Sequence, residues 1–197
     1  MKPEDAIAKL AEDIDEWFEE GRSILFVPNR FAQGRAIERG VAIVRKLEQI
    51  KASALKSLRS LITECASAPD KERMASLIKA FEVAAKLKSA LHDELLDTDG
   101  EKKIVLLMND IAASLDTTSQ GRAALAELLG RSDSRVRAAA GAHLLINNLM
   151  PEHVIPILRA IDERNEGSSA EFTAHWALLD WELKQKTASI DNGKQKA

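Results

Sequence analysis

The chain has 197 residues, enough for one domain or two small ones, and its 45 % apolar content supports a buried core. Glycine and proline together make 14 of 197 residues, tyrosine is absent and the aromatic share is 4 %. That leaves too few turn formers and aromatic strand formers for a β-sandwich, a barrel or a many-stranded α/β domain, and a net charge of −3 with this apolar content excludes a disordered chain.

The charge is unevenly spread. Residues 1–20 carry two lysines and eight acids, whereas residues 21–60 carry nine lysines and arginines and two acids. Adjoining blocks of opposite sign predict an acidic first helix lying alongside a basic second one; the alternative is a basic surface for nucleic acid. Only Phe26 and Phe31 interrupt the basic block, whereas nucleic-acid surfaces interleave more aromatics or glycines with their cations. The lone cysteine, Cys65, makes no internal disulfide, and residues 1–20 lack the basic and apolar regions of a signal peptide. No apolar run approaches the ~20 residues of a membrane span. A cytoplasmic protein without a membrane segment is therefore expected.

Helical periodicity recurs along the chain. Ile7, Leu10, Ala11, Ile14, Trp17 and Phe18 form one stripe of a first helix behind Pro3, which Gly21 should end. Pro28 marks a connector, and Asn29 is a candidate N-cap for a second helix whose apolar face holds Ile37, Val41, Val44, Leu47, Leu55, Leu58 and Ile62. That helix either runs to Ala66 or breaks between Gln49 and Ser53, and Gly34 and Gly40 weaken it or mark a close helix approach. Pro69-Asp70 starts a third helix with Met74, Leu77, Ile78, Phe81, Ala85, Leu87, Leu91 and Leu95 inward, and Asp97-Thr98-Asp99-Gly100 is a turn. A fourth helix spans Glu101 to about Leu115. One of Thr117, Thr118 and Ser119 caps a fifth ending at Gly130, and Asp133 caps a sixth. Pro151 opens a seventh, with Pro156 inside it as a source of a kink or an unpaired carbonyl. Ser168-Ser169-Ala170-Glu171 reads as the capping box of an eighth, whose stripe is Phe172, His175, Trp176, Leu179 and Leu183.

The expected fold is all-α: one domain over 1–185 of seven to eight antiparallel helices, divided into N-terminal helices (1–100) and helical hairpins (101–185). A flexible tail is expected at 186–197. In the C-terminal half, Leu125, Leu128 and Leu129 are followed by Ser132-Asp133-Ser134-Arg135-Val136-Arg137 and Ala138-Ala139-Ala140. A Leu-rich helix, a tight Asp-capped turn and an Ala-rich helix make a HEAT-like hairpin, with Arg137 placed to bond back to the turn or to a neighbouring repeat. Helices seven and eight make a second.

The order Gly121-Arg122, Ser132 to Arg137, Ala142-His143-Leu144-Leu145, Pro151-Glu152, Val154 to Leu158, Glu171 to Ala174 and Trp181, with Asn29-Arg30 upstream, resembles a small bacterial HEAT-like domain family. Residues 51–100 lie outside the resemblance. Members of that family include immunity proteins encoded beside secreted antibacterial toxins, and the matched residues are structural. The resemblance thus implies a protein that binds and neutralises a cognate toxin. It carries over no catalytic residue and no cofactor.

The residue patterns agree with a non-enzymatic reading. His92, His143, His153 and His175 form no metal-binding pair, and no phosphate-binding, dinucleotide-binding or nucleophile-elbow motif occurs. His143 and His175 are expected as hydrogen-bonded core or interhelix residues. Of Trp176 and Trp181, about 140° apart on a helix, one is expected in the core and the other partly exposed as an interface anchor. Candidate partner-binding residues are Arg131 and Arg135 near one hairpin turn and Asp162, Glu163 and Glu166 at the next. Other readings are a nucleic-acid-associated helical protein using segment 22–59, with Arg35, Arg39 and Arg45 as contacts, and a generic helical scaffold or adaptor.

Overall fold

The computed structural model describes residues 3–24, 33–64, 71–95, 97–164 and 167–194. Among them are eight α-helices and no strand: α1 (Pro3–Ile24), α2 (Gln33–Glu64), α3 (Lys71–Ala90), α4 (Thr98–Asp116), α5 (Ser119–Glu127), α6 (Ser134–Ile146), α7 (Pro151–Asp162) and α8 (Ser169–Lys194). A π-helical turn, Leu91–Leu95, follows α3, and a 3-10 turn, Leu128–Gly130, follows α5. The chain divides into two compact units, Met1–Thr117 and Thr118–Ala197. The division falls after α4 rather than at residue 100, because α4 packs on α3 and α2.

In the first unit, α3 packs against α1, α2 and α4. It is buried nearly all round (Leu77, Ala80, Phe81, Val83, Ala84, Ala85, Leu87, Ala90), and small residues at four of those positions let its neighbours approach. On α1 the expected stripe is buried from Ile7 to Trp17, although the helix continues past Gly21 to Ile24. Helix α2 is continuous through 49–53. Its inward residues are Leu47, Ile50, Ala54, Leu58 and Leu61, while Val41 and Val44 are exposed. Asn29, Pro28 and Cys65 lie outside the described residues, as do the side-chain surroundings of Gly34 and Gly40.

The acidic first helix does pack along the basic second one. Lys46 Nζ lies 3.1 Å from Glu16 Oε2, and Lys86 on α3 contacts Asp15. A further ion cluster ties α2 to the start of α4. Asp97 caps α4, accepting from the Gly100 amide at 2.9 Å, and Lys51 donates to Asp97 Oδ2 at 2.8 Å while reaching Glu48 at 2.5 Å. Gly100 is required here: a Cβ on it would stand 2.2 Å from Asp97 Oδ2 and 3.1 Å from Lys51 Cδ. The Lys51 ammonium, followed by the Gly100 amide, holds the Asp97 carboxyl below its ordinary value. Burial alone would lower Lys51, but the hydrogen bonds to Asp97 and Glu48 outweigh it and raise the ammonium.

A depressed carboxylate stabilises the fold above its unfolded-state value of about 4 and ceases to do so as pH falls through the native value. Asp97→Asn keeps a capping side chain but loses the ion pair. Wild type is therefore expected to exceed the variant in stability near pH 6, with the gap closing below about pH 4, as read by urea unfolding at both pH values. A gap of constant size would show that the ion pair contributes nothing.

The second unit is built from two successive hairpins, α5–α6 and α7–α8, with α6 packed on both α7 and α8. Thr118 caps α5 through the Gly121 amide at 2.9 Å, and Asp133 caps α6 through the Arg135 amide at 2.9 Å. The turn is completed by Arg135, not Arg137: Arg135 Nε and Nη2 donate to Asp133 at 2.9 and 2.6 Å, whereas Arg137 Nε is buried without a hydrogen-bond partner among the described residues. Gly141 is buried in α6, where a Cβ would lie 2.8 Å from Leu158 Cδ2, so glycine lets α6 settle onto α7. Pro156 sits on the exposed face of an uninterrupted α7. The carbonyl it deprives of a donor is that of Glu152, an exposed residue.

The capping box of α8 forms as expected. Ser168 Oγ accepts from the Glu171 amide at 3.4 Å and buried Glu171 takes the Gly167 amide at 2.7 Å, with Gly167 at φ 70°. The helix then runs to Lys194, past the expected end at 185. No proline occurs after residue 156, and Thr187 Oγ1 returns its hydrogen bond to the Leu183 carbonyl at 2.9 Å.

Candidate functional site

Helix α8 has two apolar faces, and the structure buries the one with the smaller side chains. Ala170, Ala174, Ala177 and Leu178 are inside, where small side chains allow close contact with the Ala-rich α6 (Ala138, Ala139, Ala140, Ala142). The stripe expected inside faces out: Phe172, Trp176 and Leu183 are 53 %, 52 % and 54 % exposed. His175 is exposed and Leu179 half-buried. At 100° per residue Phe172, Trp176, Leu179 and Leu183 fall within about 60° of one another, on the side of α8 away from its buried alanines. The Phe172 and Trp176 rings meet edge to face at 5.9 Å, and His175 stands against Trp176 at 6.2 Å. Trp181 is half-buried, its Nε1 enclosed without a hydrogen-bond partner among the described residues. Trp176 is thus the partly exposed member of the pair.

Beside this stripe, between α7 and α8, lies an open cleft of about 270 Å³ lined by Arg159, Asp162, Glu163, His175, Leu178, Leu179 and Glu182. Its floor is apolar (Leu178, Leu179) and its rim carries three carboxylates against one guanidinium and one imidazole. His175 Nδ1 approaches Asp162 at 3.3 Å, and Arg159 Nη2 is 3.8 Å from Glu182. Leu179 belongs to both cleft and stripe, so the two form one continuous surface.

The cleft brings together Asp162 and Glu163 of the expected site. Arg131 and Arg135 lie at the α5–α6 turn and do not line it; Arg135 is committed to Asp133. Glu166 lies outside the described residues. His175 is an interhelix residue but a solvent-facing one, and His143 is half-buried, its Nε2 3.4 Å from Asn147 Nδ2. Sequence reasoning singled out neither Arg159 nor Glu182, because each reads as an ordinary solvated charge until α7 and α8 are set side by side.

Two other clusters occur in the first unit. At the π-helical turn, His92 Nδ1 meets Glu101 Oε2 at 3.0 Å, joining α3 to α4, and burial pushes the nearby Lys88 ammonium down against the opposing pull of Glu101 and Asp93. In the basic block, Lys46 and Lys51 are ion-paired and Arg45, Lys56 and Arg59 are exposed; the side chains of Arg35 and Arg39 lie outside the described residues. Among the described residues no group of three or more His, Cys, Asp or Glu is placed to hold a metal, and no helix is long and apolar enough to cross a membrane. Comparison with family models, with curated proteins and with solved structures gave no match.

Proposed function

We propose that the chain acts by binding another protein, and specifically that it is a bacterial immunity protein that neutralises a cognate secreted toxin by complex formation, without catalysis of its own. The observation that carries the binding part is the exposed Phe172–Trp176–Leu183 stripe. Aromatic side chains held at half exposure on a rigid helix lose little freedom on docking and supply most of the energy of typical interfaces. The toxin as partner rests on the resemblance of the hairpins from Gly121 to Trp181 to the HEAT-like immunity-associated family. The lone cysteine supports a cytoplasmic place of action.

The test is to look beside this gene for a toxin-like reading frame and to co-express the chain with it; the absence of any such frame would itself count against the immunity reading. The expected result is survival of cells that the toxin alone kills, and co-purification of a 1:1 complex. Full toxicity in the presence of the folded chain, with no complex recovered, would reject the immunity reading.

A further inference from the structure

We infer that the α7–α8 face receives a cationic amphipathic helix: a lysine or arginine of the partner enters the cleft while its apolar residues cover Phe172, Trp176 and Leu183. The inference rests on the protein-binding reading above and adds the chemistry of the partner. The stripe has helix-pairing geometry, with apolar side chains at i, i+4, i+7 and i+11 spanning about 16 Å of axis at 1.5 Å per residue. That is the seam a second helix covers.

The cleft supplies the charge preference. A long cationic side chain has an aliphatic stem suited to Leu178 and Leu179 and a charged head suited to Asp162, Glu163 and Glu182 on the rim. Arg159 and His175 offset only part of that charge. Glu163 has no ion pair among the described residues, so it is open to an incoming cation. A second copy of the chain is a poorer occupant. A two-fold contact through this face would bring two copies of the same anionic rim together.

The probe is an 18-residue amphipathic peptide of leucine and lysine, titrated calorimetrically into the full chain, with the leucine–glutamate peptide of the same pattern as control. The lysine peptide is expected to bind 1:1, at least tenfold more weakly at about 300 mM salt than at about 50 mM. Trp176→Ala is expected to weaken it at least tenfold, and the charge reversals Glu163→Lys and Glu182→Lys several-fold each. Asp5→Lys with Glu12→Lys, exposed positions on the acidic α1, is expected to leave binding unchanged.

Equal binding of both peptides, or loss of binding only in the α1 variant, overturns the inference. So does a concentration-dependent dimer dissolved by Trp176→Ala, which would make a second copy the occupant. The toxin assay separates the two readings. A peptide that binds as described while the neighbouring toxin does not leaves this inference standing and removes the immunity reading. A toxin complex lost in Trp176→Ala, with no lysine-peptide binding, does the reverse to the cationic helix.

Discussion

Trp176→Ala is expected to lower affinity for the protein partner by a factor of about 30 or more, the ~2 kcal/mol threshold of an interface hot spot. The stability of the isolated chain should change by no more than about 1 kcal/mol, the range of surface substitutions plus one aromatic pair. Both parts follow from position. Trp176 is 52 % exposed, so truncation removes far less packing than at a buried site, and the contacts it loses include the edge-to-face ones with Phe172 at 5.9 Å and His175 at 6.2 Å. Trp17 gives the contrast. It is 3 % exposed, and its replacement by alanine should cost about 3–5 kcal/mol, as for other buried aromatics. Calorimetric titration with the co-purified partner and thermal melts of both variants check the pair. Unchanged affinity in Trp176→Ala would remove the α8 stripe from the interface. A large stability loss would instead make the ring part of the core.

Much of the fold follows from local chemistry that a sequence displays. Capping residues with free oxygens at Thr118, Asp133 and Ser168, proline at 151 and the stripe from Ile7 to Trp17 all act within a single helix and its ends, and all form as expected. The acidic and basic blocks lie side by side over a shared apolar core, with Lys46 and Glu16 paired at 3.1 Å at its edge. What escaped the sequence was one choice of rotamer and the contacts made between helices. Arg135 rather than Arg137 completes the α6 turn, because a side chain two residues past the cap folds back on it, a matter of rotamer rather than periodicity. Lys51 and Asp97 are 46 positions apart and are joined only once α2 and α4 pack. Of the expected partner-binding residues only Asp162 and Glu163 line the α7–α8 cleft, and the α8 stripe expected in the core is exposed. Hydrophobic periodicity finds an apolar stripe but cannot rank two stripes on one helix. Large side chains outscore alanines on any hydropathy scale, yet alanines permit the closer helix contact.

That ranking is open to direct test. Ala174 is fully buried on the α8 face turned toward the core, and Leu183 is 54 % exposed on the opposite face. Adding a leucine side chain at 174 forces it into the tight packing between α8 and its neighbours, and overpacking of this kind costs typically 1–3 kcal/mol and occasionally more. Three added carbon atoms at a site already closed to solvent belong at the upper end. Ala174→Leu should therefore destabilise the second unit by about 3 kcal/mol. In a unit of this size each kcal/mol lowers the melting temperature by roughly 4–8 °C. Leu183→Ala should shift stability by no more than about 0.5 kcal/mol, as for an ordinary surface position. The opposite orientation of α8 reverses both expectations: a buried Leu183 would cost about 2–5 kcal/mol on truncation, and an exposed Ala174 would accept leucine freely. Thermal melts of the two variants decide the matter, and the same two numbers decide whether Phe172, Trp176 and Leu183 are available to a partner at all.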